Sequence, residues 1–284
     1  MVLESLVNPF RMEKTPQNMF LIGFLYCSIA ILLSYWIFQA YASLIMVFLT
    51  TMAAIPLIYH VIKYEEEKDL MDYSEVILLK EHSKALSGFV YLFFGVTLAF
   101  TLWYVVLPAD LITTLFDSQT ATINAINGKI TGMSTAETTG VFSRIFLNNM
   151  KVLIFCILFS FLYGTGAIFI LVWNASVIGT AIGDFIRGKL ALLTELAGFD
   201  KLSHYFQYIG IGLFKYAIHG IPEILAYFTA GLAGGIISIA VIKHDFGNKK
   251  FEHVLLDSAD LLLISIVLLF IAALLEVFVT PIVF

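Results

Sequence analysis

Charged side chains are scarce in this chain of 284 residues, and their scarcity excludes an ordinary soluble domain. Asp, Glu, Lys and Arg make up 13% of the sequence, whereas a soluble domain carries about 25%. Hydrophobic residues make up 60%, and several apolar runs reach the roughly 20 residues with which a helix crosses a bilayer. These runs do not alternate apolar and polar residues, as the strands of a membrane β-barrel would. The composition therefore predicts an all-α, polytopic bundle of transmembrane helices in the cell membrane.

Cysteines are also few, and signature motifs of known enzyme classes are missing. Cys27 and Cys156 lie in separate apolar runs without a CxxC pattern. The sequence contains no HExxH, GxSxG, Walker or GxGxxG motif. The segment His219–Glu223 resembles half of a zinc motif, but its proline would spoil the helical spacing of such ligands. We therefore predict no enzyme activity, with a membrane metalloenzyme as the weaker alternative, and no cofactor or metal. The net charge of −5 argues against nucleic acid as a partner, so the partners that we expect are the lipid bilayer and other proteins.

Polar segments divide the chain into residues 1–86, a transmembrane hairpin with a charged segment, and residues 87–284, a membrane domain. Lysines in the charged segment 63–86 place it in the cytoplasm, as an amphipathic helix or as a solvated linker. Arg11 and Lys14 precede the first span, so we expect a cytoplasmic N-terminus. The predicted full spans are 18–38, 44–62, 87–107, 149–173 and 258–281.

The longest apolar stretch, residues 205–242, is too long for one simple span. As a straight helix it would measure about 57 Å, close to twice the hydrocarbon core. We predict a broken or re-entrant element with its break at His219–Pro222, and a conventional six-span arrangement stays open as the alternative. Residues 174–186 are too short to span alone, and residues 109–147 are expected to hold a short helix or a partly buried loop.

His219 and Glu223 are the strongest candidates for a functional role, because charged groups within membranes are costly and usually face a partner or a cavity. Three roles are open for the pair: a hydrogen-bonded lock of the helix break, an ion or proton pathway, and a pair of metal ligands. Gly220 and Pro222 lie between them, and Lys215 precedes them by one turn as a possible charge partner of Glu223. Three asparagines flank the fourth predicted span, where amides cap helices or bond across them, namely Asn148, Asn149 and Asn174.

Small residues recur at helical spacing in the second half of the chain. Such residues let membrane helices approach closely, so we predict a helix-packing seam and expect a homo-oligomer. Whether the seam packs within one subunit or between subunits is open at this point. Its members are Ala226, Ala230, Gly231, Gly234, Gly235 and Ser238, with Gly164, Gly166, Gly179 and Gly183.

Over about residues 142–284 the sequence resembles the stage II sporulation protein M family of integral membrane proteins. The family pattern often has Pro before the His and Gly after the Asn, where this chain has Ile218 and Ala175. The resemblance implies a membrane scaffold that organises partner proteins, because the sporulation member resembles a scaffold for cell-wall hydrolases. The alternative is an ion or small-solute transporter or channel that uses His219 and Glu223. The resemblance is carried by Asn148-Asn149, the Gly164–Gly166 pair, Asn174 with Gly179, the run His219–Glu223 and the small residues 226–235.

Overall fold

The computed structural model describes residues 15–69, 75–130, 138–163, 165–191, 198–243 and 249–283, and within these ranges the chain forms helices and short turns without strands. This arrangement confirms the all-α membrane bundle expected from the composition. The helices are α1 (Asn18–Phe38), α2 (Ala42–Asp69), α3 (Glu75–Val106), α4 (Ala109–Leu115), α5 (Asp117–Ile130), α6 (Thr138–Tyr163), α7 (Ala167–Ala191), α8 (Gly198–Lys243), α9 (Lys249–Leu274) and α10 (Thr280–Val283), with a 3-10 turn at Gln39–Tyr41 and a π-helical turn at Leu275–Val279.

Six helical segments in this described part of the chain are long and apolar enough to cross a membrane. The first of them, Asn18–Lys68, contains both α1 and α2, which pack together as a hairpin about the 3-10 turn. The segment Ala217–Lys243 of α8 is the most enclosed, with 83% of its apolar window buried, against 22% for the segments of α6 and α9. Helix α8 is therefore the central element, and α6, α7 and α9 pack around it.

Close backbone approach joins α1 to α3 where the two helices cross. A Cβ atom added at Gly23 would overlap the backbone carbonyl of Leu92, and one added at Gly95 would overlap that of Phe20. Trp103 Nε1 donates a hydrogen bond of 3.1 Å to Ser28 Oγ farther along the same contact. Since neither glycine tolerates a side chain here, the N-terminal hairpin is built into the bundle rather than appended to it.

Side-chain contacts define the two ends of the bundle. At one end, the last turn of α2 meets the last turn of α8, because Glu66 Oε2 lies 2.6 Å from Lys243 Nζ. At the other end, α7 reaches the end of α3, because Arg187 Nη1 donates to the carbonyl of Leu107 at 2.6 Å. The cation there offsets the partial negative charge of the α3 carboxyl terminus.

The predicted span 149–173 is wrong, because two helices share that stretch. Helix α6 ends at Tyr163 and α7 begins at Ala167, whose N–H donates to Ser160 Oγ at 3.4 Å. Gly166 lies against the carbonyl of Phe159, so the turn is tight, and Gly164 lies outside the described residues. The turn carries no charged residue, which is why the apolar pattern ran through it. Residues 174–186 therefore belong to a full helix and are not a short fragment.

The predicted break or re-entrant element in residues 205–242 is also wrong. Helix α8 runs for 46 residues through Pro222 without interruption. A proline removes only its own N–H and the bond to the carbonyl four residues earlier, here that of Ile218, and membrane helices tolerate this loss. At about 69 Å the helix is longer than the membrane core. Its first part, before Ala217, therefore extends beyond the membrane-crossing segment.

The polar stretch 109–147 contains short helices, as expected from the sequence. Helices α4 and α5 bring Phe116 and Gln119 to fully buried positions. The ring of Phe116 packs edge-to-face on Tyr104 with 5.0 Å between centroids, and Gln119 Nε2 donates to Ser176 Oγ at 3.2 Å. These two helices therefore close the Arg187 end of the bundle.

Candidate functional site

His219 and Glu223 face the end of α9 from one side of α8. His219 Nδ1 lies 3.3 Å from Thr280 Oγ1, within hydrogen-bond distance. Glu223 Oε1 accepts a hydrogen bond of 2.8 Å from the hydroxyl of Tyr227, one turn later on the same helix. The hydrogen bonds found for the pair therefore lead to Thr280 and Tyr227. They do not form the mutual lock that was one of the three expected roles.

Glu276 belongs to this site, although it was not among the site residues predicted from the sequence. It lies in the π-helical turn, and its carboxylate interacts electrostatically with that of Glu223. Thr280 Oγ1 donates to the carbonyl of Leu275 at 3.1 Å across the same turn. Single π-helical turns inside α-helices often mark functional sites. A sequence signal existed, because Glu276 is the one charged residue in the run 261–284.

The three asparagines do not join this group. Asn149 is buried and Asn148 is exposed on α6, while Asn174 is half-buried on α7. Asn174 Nδ2 is a buried donor without a hydrogen-bond partner, and no hydrogen bond between described residues connects any of the three to His219 or Glu223. The side chain of Lys215 lies outside the described residues, so its predicted pairing with Glu223 stays a prediction.

Gly220 and Pro222, between the two polar residues, lie inside the continuous helix. Gly220 is buried, yet a Cβ atom added there would meet nothing within 4 Å. Pro222 is half-buried. Neither residue ends the helix. The segment His219–Glu223 is therefore not the helix break that the sequence predicted.

Glycines of the small-residue seam pack against other helices of the same chain. A Cβ atom at Gly234 would lie 2.8 Å from the carbonyl of Ile157 on α6, and one at Gly231 would lie 3.0 Å from Ala167 Cβ on α7. On α7 the seam faces α3, where a Cβ at Gly179 would lie 2.7 Å from Phe100 Cβ and one at Gly183 would lie 2.8 Å from Tyr104 Cδ1. The remaining seam residues of α8 are all buried: Ala226, Ala230, Gly235 and Ser238.

Two cavities among the described residues are small. One apolar cavity of about 20 Å³ lies between α2, α3, α7 and α8, and a second of about 10 Å³ lies between the start of α3 and α9. A single water needs roughly 10–15 Å³, and neither of these two cavities is lined by His219 or Glu223. Among the described residues no three His, Cys, Asp or Glu side chains are grouped so that they could hold a metal ion.

A second polar cluster, at the opposite end of the bundle, was missed by sequence reasoning. Glu65 on α2 is fully buried, with Oε1 2.9 Å from Lys68 Nζ and Oε2 2.8 Å from Nδ1 of His82 on α3. Lys68 and His82 are themselves almost fully buried. A charge buried in this way is stable only when it is paired. The segment 63–86 is thus neither an amphipathic surface helix nor a solvated linker in its described parts, because it extends α2 and α3.

This cluster also reaches α8 and α9. Glu66 is fully buried, and its partner Lys243 stands at the end of α8. On α9, His253 Nδ1 lies 2.8 Å from Asp257 Oδ2. Asp257 and His82 line the smaller cavity, together with Leu78, Leu79 and Asp260. Four helices therefore meet through charged side chains at the Lys243 end.

A sequence profile described as Stage II sporulation protein M matches residues 90–281, which is more than half of the chain. The match contains the His219–Glu223 site and Lys243, whereas Glu65, Glu66, Lys68 and His82 precede it. No curated protein and no solved structure matches the chain.

Proposed function

The chain belongs to the Stage II sporulation protein M family, and from this premise we propose that it is a membrane scaffold that organises partner proteins. The observation that carries the proposal is the state of the His219–Glu223 site. Both side chains lie on an unbroken helix, and their hydrogen bonds lead to Thr280 and Tyr227 of the same chain. The contact between His219 and Thr280 joins α8 to the segment after α9, which favours a structural role for this site over a path for a solute.

The packing around the site supports the same reading. Transporters place substrates at interrupted helices near the middle of the bilayer. Here α8 is uninterrupted, and Glu223 lies about 30 Å along its axis from Lys243, toward the other end of the membrane-crossing segment Ala217–Lys243. A scaffold needs a rigid bundle with free lateral surfaces. Helices α6 and α9 supply such surfaces through large exposed apolar residues, among them Phe155, Leu158, Leu162, Leu263 and Val267.

We place the contacts with partners, whether a second copy of the chain or another membrane or envelope protein, on these faces of α6 and α9. The small-residue seam is not available for an oligomer, because it is occupied by α3, α6 and α7. We also propose a cytoplasmic N-terminus. Lys63, Lys80, Lys84 and Lys249 lie at the same end as Lys243, and basic residues favour the cytoplasmic side.

Retention of partners in native membranes tests the scaffold. Proteins crosslinked in the membrane to the affinity-tagged chain are quantified for the wild type, for Glu223→Gln and for Asp110→Asn. The last variant makes the same carboxyl-to-amide change at an exposed residue of α4. We expect Glu223→Gln to lose a defined set of partners at unchanged expression, and Asp110→Asn to keep it. Equal recovery by all three proteins would contradict a scaffold that depends on this site.

The second candidate function is transport of a proton or small cation. One observation favours it: the carboxylates of Glu223 and Glu276 interact electrostatically inside the membrane-crossing segments. Acidic groups placed in this way occur in ion and proton pathways. This candidate predicts a flux that depends on Glu223, which the scaffold does not.

A further inference from the structure

We propose that the charged cluster at the Lys243 end is a pH-responsive latch, which docks the N-terminal hairpin and the start of α3 onto α9. The latch consists of Glu65, Glu66, Lys68, His82, Lys243 and Asp257. The proposal does not depend on whether the protein is a scaffold, because it concerns residues that hold two parts of one chain together.

The latch joins parts of the chain that are far apart in sequence. The hairpin lies before the region that matches the family, and α9 lies at the far end of that region. At this end they are linked through polar groups, from Glu65 to His82 of α3 and across the small cavity to Asp257. Burying a carboxylate is unfavourable unless a cation is near, so the position of α2 depends on the charges that face Glu65 and Glu66.

His82 is the part of the latch that responds to pH. From α2 it faces Glu65, at 2.8 Å, and Lys68, which is bonded to Glu65. From α9 it faces Asp257 and Asp260 across the small cavity, and the electrostatic effect of His82 is felt at Asp257. Two further charged groups complete the surroundings: Glu81 on α3, 3.6 Å from Lys68, and His253, paired with Asp257. Within the described residues, the imidazole thus stands between carboxylates of α2 and of α9.

The charge of the imidazole decides whether these helices attract or repel. A protonated His82 places a positive charge between Glu65 and Asp257 and draws α2 and α9 together through α3. A neutral His82 removes that charge, so that Glu65 keeps Lys68 as its cation and the positive charge between Glu65 and Asp257 is lost. The ion pair between Glu66 and Lys243 does not involve the imidazole. The latch therefore holds at low pH and loosens at high pH, with the Glu66–Lys243 pair as the point about which the hairpin moves.

Distances between spin labels in lipid nanodiscs test this proposal on the full chain. One label replaces Lys63, which is exposed on α2, and the other replaces Leu256, which is exposed on α9. The native Cys27 and Cys156 are fully buried and do not compete for the label. Distances are measured at about pH 5.5 and about pH 8.5, on either side of the roughly 6.5 at which histidine ordinarily titrates. We expect a narrow distribution at the lower pH and a longer, broader one at the higher pH.

Three controls decide what a change means. The His82→Gln variant should lose the pH response. The His60→Gln variant changes a histidine of α2 that is not part of the latch, and it should keep the response. Labels at Ile242 and Leu256 report on α8 and α9 alone and should give one distance at both pH values. A wild-type distribution that does not change with pH overturns the latch, even if His82→Gln fails to fold. A response that survives in His82→Gln overturns the role of His82.

Discussion

The two polar clusters of this protein lie at opposite ends of the membrane-crossing segment of α8, Ala217–Lys243, and are built in different ways. The cluster at the His219 end joins α8 to the segment after α9 through one contact, between His219 and Thr280. The hydrogen bond that Tyr227 donates to Glu223 lies within α8, and the carboxylates of Glu223 and Glu276 lie near each other. The cluster at the Lys243 end joins α2 to α3 and to α8 through the Glu65–His82 and Glu66–Lys243 contacts, and Asp257 of α9 faces His82 across the small cavity. The cluster at the His219 end could be recognised in the sequence, whereas the cluster at the Lys243 end has more polar contacts between helices.

The difference teaches that a recognisable motif and the strongest polar contact need not coincide. The His219–Glu223 segment stands out because charge is rare in an apolar run. The segment around Glu65 does not stand out, because a run of charges usually marks a solvated surface. Neutralising a residue should therefore destabilise the protein at the Lys243 end and have little or the opposite effect at the His219 end.

The largest expected effect is that of Lys243→Met. The change leaves the fully buried Glu66 without its 2.6 Å ion pair. Removing one partner of a buried pair costs about 3 kcal/mol, the lower end of the usual range, because Lys243 itself is partly exposed. The melting temperature in detergent measures the loss, with Lys249→Met, an exposed lysine at the same end, as the control. Equal melting temperatures for the two variants would show that the Glu66–Lys243 ion pair does not stabilise the fold.

Two glycine-to-alanine changes on α8 should have effects of opposite sign on the free energy of unfolding. In Gly234→Ala the new Cβ would lie 2.8 Å from the carbonyl of Ile157, which we expect to cost about 1–3 kcal/mol. In Gly220→Ala the new Cβ meets nothing within 4 Å, so the gain in helix propensity should stabilise the protein by up to about 1 kcal/mol. Parallel unfolding curves of the two variants check the pair. A destabilised Gly220→Ala would show that this glycine is required for more than its place in the helix.

At the His219 end, Thr280→Val should have a small effect. The change removes the hydroxyl that lies 3.3 Å from His219 Nδ1 and preserves the shape of the side chain. Hydrogen bonds between membrane helices contribute about 0.6 kcal/mol on average. We expect a loss of that order in the free energy of unfolding. A loss as large as that of Lys243→Met would make the two ends equivalent and break the comparison.

The smallest expected effect is that of Glu276→Gln, and its sign is opposite. The carboxylate of Glu276 interacts electrostatically with the like charge of Glu223, and the amide removes this repulsion without changing size. We expect the melting temperature to stay the same or to rise. The corresponding gain in the free energy of unfolding should be less than about 1 kcal/mol. The matched variant Glu65→Gln, at the other end, should lower the melting temperature. A destabilised Glu276→Gln would instead mean that Glu276 has a favourable charged partner.

Composition and local pattern were sufficient for the class of protein and for its first hairpin. The predicted span 18–38 coincides with α1, because a short polar link separates it from the next apolar run. The turn near Gly166 and the continuity of α8 through Pro222 were not predictable in this way. Hydropathy identifies segments that can lie in a membrane. It does not detect a turn made of small, uncharged residues, and it does not show whether a helix continues through a proline.

The candidate site was predictable in part, for a related reason. An isolated charge in an apolar run identifies itself, so His219 and Glu223 were found from the sequence. Glu276 carried the same signal, but its proximity to Glu223 follows from how α9 packs on α8. The burial of Glu65 and His82 depends on four helices that meet far apart in the sequence, and no local pattern reports it.

The measurement that tests the central claim most directly is ion flux through liposomes that contain the purified protein. The claim is that the His219–Glu223 site joins helices and does not conduct. Liposomes with internal indicators for protons, sodium and potassium are compared for the wild type, Glu223→Gln and protein-free vesicles under matched gradients. The account predicts that both proteins leak no faster than the protein-free vesicles. A flux through the wild type that Glu223→Gln abolishes would contradict the scaffold and make transport the function of this site.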